Sequence, residues 1–239
     1  MKIVIIPCLQ DNYSYLVIDE KKNNACVIDP SESDPIIKYL EYNKINLKFI
    51  LNTHHHHDHV GGNKKLKEKY GASVVGFKGD KHRIPEIDIL VDNLENWKYE
   101  NFEAKIIHIP GHTLGHICFY FYNDKSVFTG DTLFSLGCGR IFEGTYSQMY
   151  ESLNKLKELP SDTKIYCGHE YTIQNSKFCL AHDQNNKNLN SKIKDIMEKT
   201  QKKLPTIPST IKEELECNIF LRSDNLKTFS KLRDLKDNF

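Results

Sequence analysis

A chain of 239 residues with 39% hydrophobic and 10% aromatic content can bury a sizeable core, as one large domain or a medium one with an appendage, which excludes a disordered chain. Thirty-three basic residues against 32 acidic ones leave a formal net charge of +1, and this gives no ground for nucleic acid or a membrane surface as the main partner. The cysteines, at positions 8, 26, 118, 138, 167, 179 and 217, are odd in number and form no Cys-x-x-Cys pair, so reduced thiols in a cytoplasmic setting are expected rather than a disulfide framework.

The N-terminal Met-Lys-Ile-Val-Ile-Ile-Pro has an apolar run of only four residues, too short for a signal peptide or a membrane span, and reads as a first strand. Residues 3–6 and 14–18, separated by Gln10-Asp11-Asn12, predict a hairpin. A strand over 25–28 stops at Asp29-Pro30. Residues 35–43 have helical spacing, with Ile36, Ile37 and Leu40 on one face. A buried strand over 48–51 leads into a histidine run, followed by Gly61-Gly62, a charged helix to Tyr70 and a strand over 73–77. Residues 79–96 are polar and give no clear pattern. Strands follow over 104–109, 117–122 and 126–129, then a helix over 147–159 and a strand over 164–167. After about residue 171 strand signals stop and the pattern turns helical, with a turn at Leu204–Pro208 and capping-box spacing between Thr210 and Glu213. The expected division is therefore 1–170 and 171–239.

Four features share one design, an apolar strand running into a loop that carries metal-type ligands. They are the His54/His56/Asp58/His59 cluster, His112 after Pro110-Gly111, Asp131 after Thr129-Gly130, and His169 after Cys167-Gly168. Gly111, Gly130 and Gly168 permit tight turns beside an ion. His54 and His56 are two apart, so in extended chain they point the same way, while His55 and His57 point elsewhere. The inventory is five imidazoles and two carboxylates. One ion takes three or four ligands, so seven suit two ions sharing a carboxylate. Consecutive histidines also occur as tags or adventitious metal-binding tracts. This run is internal, follows an apolar strand and carries Asp58 and a glycine pair. Taken alone, His112 or His169 would be a structural histidine and Asp131 a turn residue; it is their joint occurrence that points to metal. His82, His108, His116 and His182 lack such a setting and are expected to be structural or exposed.

The series Thr53-His54-x-His56-x-Asp58-His59, then His112, Asp131 and His169, resembles the metallo-β-lactamase superfamily. Asp11-Asn12-Tyr13, Thr53 through Gly62, Pro110-Gly111-His112-Thr113, Gly137-Cys138-Gly139-Arg140, Tyr166 through Thr172 and Leu204 through Thr210 narrow the resemblance to the glyoxalase II (hydroxyacylglutathione hydrolase) family over nearly the whole chain. The resemblance implies an α/β (α+β) fold, a four-layer αββα sandwich with a small C-terminal helical domain for substrate recognition. It implies one ion on His54, His56 and His112, a second on Asp58, His59 and His169, and Asp131 bridging both. Zinc is the expected metal, with iron or manganese as alternatives. Glutathione contacts map onto Arg140 to Phe142, Tyr171, and Arg233 with Lys236. Arg140 stands where relatives often carry Lys, and Phe142 where they often carry Tyr. Asn218-Ile219-Phe220 lacks a proline common after the Asn. By spacing alone, Arg233 and Lys236 could equally be a solvated basic face, and Tyr171 a core aromatic.

The implied chemistry is hydrolysis of S-(2-hydroxyacyl)glutathione, S-D-lactoylglutathione above all, to glutathione and D-lactate, the second step of methylglyoxal detoxification. A hydroxide bridging the two ions attacks the thioester carbonyl, with Asp58 and Asp131 as the catalytic carboxylates. A thiol leaves as thiolate with little protonation, its pKa being about 8.5. No separate general acid is visible, which favours thioesters over amides. The partner is then a small-molecule glutathione thioester, without nucleic acid or membrane, bound by a monomer. The alternatives are another dinuclear hydrolase of the superfamily or a non-catalytic metal-binding protein. A di-zinc β-lactamase usually has Cys at position 131, a flavodiiron protein wants an acid at position 56, a persulfide dioxygenase uses one iron, and a nuclease should show a basic surface or added arm.

Overall fold

The computed structural model describes residues 1–239, which fall into two compact units, Met1–His108 with Gly115–Asp124 and Ile109–Leu114 with Lys125–Phe239. The first unit is built on strands β1 (Lys2–Cys8), β2 (Asn12–Asp19), β3 (Asn24–Ile28), β4 (Asn46–Leu51), β5 (Ser73–Phe77) and β6 (Ile87–Val91), which lie side by side in chain order. β1, β2 and β3 are antiparallel, joined by short turns, whereas β3 to β6 run parallel and need crossovers. Helix α1 (Asp34–Asn43) makes the first crossover, and α2 (His57–Val60) with α3 (Asn63–Tyr70) the second. The apolar sides of α1 and α3, at Ile36, Leu40 and Leu66, pack into one core with Leu16, Val27, Ile50 and Val74 of the sheet.

A shift in register between β3 and β4 puts Leu47 and Ile50 in that core. Phe49 instead meets Trp97 at 5.2 Å and Phe102 at 6.3 Å between ring centroids. These aromatic rings belong to an antiparallel meander of β7 (Asn96–Tyr99), β8 (Phe102–His108) and β9 (Ile117–Phe121). Helix, sheet and meander are thus three successive layers within this unit. Residues 79–96, where no pattern was visible, contain β6 and the start of β7. Burial alternates along β6, with Asp88 and Leu90 exposed, but the apolar Leu90 on the exposed face hides that alternation in the sequence.

The second unit holds β10 (Ser126–Gly130), the two-residue strands β11 (Leu133–Phe134) and β12 (Gly137–Cys138), α4 (Tyr146–Lys157), β13 (Lys164–Cys167), and then α5 (Thr172–His182), α6 (Lys187–Gln201), β14 (Ser209–Thr210), α7 (Ile211–Cys217) and α8 (Leu226–Asp237). β10 and β13 are parallel, with α4 as the crossover burying Met149, Leu153 and Leu156. The compact units do not cut near residue 170. β14 pairs with β13, and Phe178, Phe220 and Phe229 of the helical segment form an aromatic core within the same unit as α4. β14 departs from the purely helical expectation after 171. Two residues are too few to carry a period, and only their partner makes them a strand.

Candidate metal centre

In the first unit, β3 and β4 end side by side, and Asp29 N–H donates to the Leu51 carbonyl at 3.0 Å. That register places the buried Asp29 carboxylate under the turn leaving β4. One Asp29 oxygen accepts from the Thr53 amide at 2.7 Å; the other accepts from Thr53 Oγ1 at 2.6 Å and lies 3.0 Å from His59 Nδ1. Thr53 Oγ1 is also 3.0 Å from His54 Nδ1. With Nδ1 so engaged, His59 turns Nε2 toward Asp58 Oδ2 at 3.6 Å, and His54 turns Nε2 toward His56 Nδ1 at 3.1 Å. Asn12 donates to Asp58 Oδ2 at 3.0 Å and to its backbone carbonyl at 3.1 Å. His54 and His59 are buried, whereas the Asp58 side chain is 39% exposed.

The unused letters of the run go elsewhere. His57 is exposed, and His55 sits 3.5 Å from the buried Asp80 carboxylate. His116 is buried and stacks on His54, with centroids 4.6 Å apart. It supports a candidate ligand by packing, which its sequence setting did not reveal.

In the second unit, His112, Asp131 and His169 converge, all buried. His112 Nε2 is 3.5 Å and His169 Nε2 3.3 Å from Asp131 Oδ2. His112 Nδ1 donates to the Arg140 carbonyl at 2.7 Å. Two glycines make this possible. Gly111 has φ 151, and a Cβ there would lie 2.8 Å from Met149 Cβ. A Cβ on Gly139 would lie 1.8 Å from the Asp131 carbonyl oxygen, so no side chain fits.

These separations fit a metal. Two donors each about 2.1 Å from a tetrahedral ion lie about 3.4 Å apart, and the four donor pairs above span 3.1–3.6 Å. Nδ1 of His59 and of His112 is held by an acceptor from the protein, the usual arrangement behind a ligating imidazole. Asp29 also lies close enough to His54 and His59 to count as a donor. Both its oxygens already accept hydrogen bonds from Thr53, so its role is to orient the rings.

The five expected substrate contacts lie in the second unit. Tyr171 stacks on His169, with centroids 4.7 Å apart and planes 6° from parallel. Phe142 is 61% exposed and its ring meets the His112 ring edge-on at 5.1 Å. Arg140 is exposed, with Nε 3.3 Å from Asp237 Oδ1. Arg233 does not lie on a solvated face. It is buried over the Phe220 ring and donates to the Cys138 carbonyl at 2.7 Å and to Asp237 at 2.9 Å. Lys236 lies over Phe178 and Phe239 at 5.2 and 5.4 Å. Burial, and after it the Arg233 charge, holds the Lys236 ammonium below the ordinary lysine range.

Residues 10–90 and 100–169 match the model of the metallo-β-lactamase superfamily, and residues 170–239 match that of the hydroxyacylglutathione hydrolase C-terminus. A hydroxyacylglutathione hydrolase of Pelagibacter ubique is 77% identical over the full length of both chains. The chain belongs to the hydroxyacylglutathione hydrolase family. Its members are metal-dependent thioester hydrolases, and another, from Methylococcus capsulatus, is 40% identical over 97% of this chain and 91% of its own. Among solved structures, ETHE1 from Myxococcus xanthus superposes with a TM-score of 0.75 over 98% of this chain and 90% of its own, at 24% identity. The BLEG-1 B3 metallo-β-lactamase gives 0.74 over 93% and 100%, at 21% identity. These show the fold, the αββα sandwich with a helical region at its C-terminus. A di-iron form of TTHA1623 is 27% identical, with a TM-score of 0.57 over 71% of this chain and 92% of its own. The clusters of His and Asp in this hydroxyacylglutathione hydrolase family member are of the dinuclear type, the metal being unspecified.

Proposed function

We propose that the chain hydrolyses S-(2-hydroxyacyl)glutathione thioesters, S-D-lactoylglutathione foremost, to glutathione and D-lactate, the second step of methylglyoxal detoxification. The observation that carries this reading is the helical segment. The catalytic fold serves many substrates, but residues 170–239 match the C-terminus specific to hydroxyacylglutathione hydrolases and supply Tyr171, Arg233 and Lys236. Residues 1–170 are assigned to the metal chemistry and 171–239 to substrate recognition.

The ligand assignment follows the family order: His54, His56 and His112 for one ion, Asp58, His59 and His169 for the other, and Asp131 for both. What supports it is the donor spacing within each compact unit and the acceptors behind His59 and His112. Imidazole and carboxylate donors suit zinc, with iron or manganese as alternatives. Two divalent ions held there supply a nucleophile from water at neutral pH and draw charge from the thioester carbonyl. Asp58, partly exposed and held by Asn12, aligns the attacking water. The leaving thiolate needs no general acid at its pKa of about 8.5, which agrees with a site that offers none beyond the donor carboxylates. Arg140, Arg233 and Lys236 supply positive charge for the glutathione carboxylates, and Phe142 and Tyr171 supply apolar walls. We place the enzyme in the cytoplasm as a monomer. All seven cysteines are reduced, and no helix is long and apolar enough to cross a membrane.

Purified protein should release thiol from S-D-lactoylglutathione, lose that activity with a strong chelator, and regain it with divalent metal. A panel of glutathione and coenzyme A carriers should show preference for glutathione. Absence of thiol release from the metal-replete protein would sink the reading.

A further inference from the structure

The segment that carries Arg140 cannot hold itself in place. β11 and β12 have two residues each, and their turn places Leu136, a residue with a side chain, at φ 58. So short a hairpin is not stable alone, and a left-handed residue persists only where its surroundings impose it. The surroundings are buried polar side chains from the helical segment. The Leu136 amide donates to Glu214 Oε2 at 2.7 Å, and Asn218 Nδ2 donates to the Gly137 carbonyl at 3.1 Å. Asn175 Nδ2 donates to the Ser135 carbonyl at 3.1 Å, and Arg233 Nη1 to the Cys138 carbonyl at 2.7 Å.

Glu214 stands at the centre of this arrangement and is fully buried. Its Oε2 also accepts from Asn218 at 3.0 Å, while Oε1 accepts from Lys192 Nζ at 3.2 Å and from the Ser209 hydroxyl. One carboxylate thus joins α6, α7 and the strand β14 to the hairpin. A buried ion pair adds little stability over apolar side chains of the same volume. What it does supply is a fixed position for the groups bonded to it. Immediately beyond the hairpin, Gly139 N–H donates to the Thr132 carbonyl at 3.1 Å, and the Arg140 carbonyl accepts a hydrogen bond from His112 Nδ1 at 2.7 Å. The Arg140 guanidinium reaches Asp237.

We propose that Glu214 is a positioning residue for thioester hydrolysis. Through the Leu136 amide it sets the hairpin that aligns the Arg140 carbonyl on His112 and the Arg140 side chain toward substrate. This rests on the glutathione-thioester reading above. The test uses full-length, metal-replete Glu214→Ala and Glu214→Met. Glu214→Met keeps most of the buried volume but removes the acceptor for the Leu136 amide, and serves if the alanine variant does not fold.

Hydrogen exchange should rise about tenfold or more across residues 133–140, while peptides of β1 to β3 exchange as in the parent. Arg140→Ala should raise KM about tenfold in the parent, and clearly less in the Glu214 variant, because the side chain is already misplaced there. Unchanged exchange at 133–140 in a folded variant overturns the proposal. So does an Arg140→Ala effect of equal size in both backgrounds, which is what a merely structural glutamate would give. If the parent enzyme releases no thiol, the substrate reading fails, and the exchange measurement still decides whether Glu214 holds the hairpin.

Discussion

Asp29 adopts φ 46, a conformation that costs a residue with a side chain, and it spends both carboxylate oxygens on Thr53 and His59. Asparagine cannot replace it, because its NH2 would face a donor whichever way the amide turned. Asp29→Asn should leave a folded protein whose affinity for the second ion falls about 10- to 100-fold, read by chelator competition. Asp131→Asn should lower metal content and turnover together; full metal and full rate in that variant would remove the bridging role. Lys236 gives a prediction in pH. Its charged form is penalised by burial and by Arg233, with Asp237 nearby opposing. The charge is therefore lost as pH rises through a value below the ordinary lysine range. KM for glutathione thioesters should climb on the alkaline side before that range is reached, and Lys236→Arg should flatten the rise. Asp29 escaped the reading of the sequence because Asp-Pro after a strand is an ordinary stop signal. Its function depends on a partner strand whose register no local pattern encodes.

The strands that end in candidate ligands were legible because each is a short apolar run leading into a loop with Gly or His; fully buried strands such as β10 show no period of two. The capping box at Thr210 and Glu213 was legible for the same local reason, and it forms as expected: the Glu213 amide donates to Thr210 Oγ1 at 3.2 Å and Glu213 Oε2 accepts from the Thr210 amide at 3.0 Å. Thr210→Ala should cost about 1 kcal/mol. In a thermal melt that is a Tm lower by about 2–4 °C, with kcat unchanged. A second capping box, Thr145 with Gln148, opens α4 and marks its start without any acidic residue. β11, β12 and β14 were not legible. Two residues cannot show a period, and what makes them strands is a partner elsewhere in the chain.

Seven reduced cysteines in one chain would be a liability if exposed, yet all are buried. Burial pushes the Cys167 and Cys179 thiols up to about 12 and that of Cys217 to about 11. A thiol so raised holds almost no thiolate at neutral pH, and thiolate is the reactive form. Intact-mass measurement after iodoacetamide at pH 8 should show no adduct on the native protein and full alkylation in denaturant. An adduct at Cys167 under native conditions would show that the segment before His169 opens to solvent. The compact units change after residues 108, 114 and 124, and the pairing of β13 with β14 and the clamp on the hairpin after Asp131 tie the helical segment to residues 125–170 within one unit. On the proposed substrate reading, recognition and fold support come from the same helices.

The identity, order and spacing of the candidate metal donors stand in the letters of the chain, because each sits in a local strand-to-loop motif a few residues long. The αββα architecture was legible only through resemblance, since apolar runs name strands without naming their neighbours. The hydrogen-bond partners of Asp29, Glu214 and Arg233 came only from the folded structure. Their partners lie 24, 78 and 95 residues away, at Thr53, Leu136 and Cys138. A buried charge acquires its meaning from what surrounds it, and those surroundings exist only once distant segments have packed together.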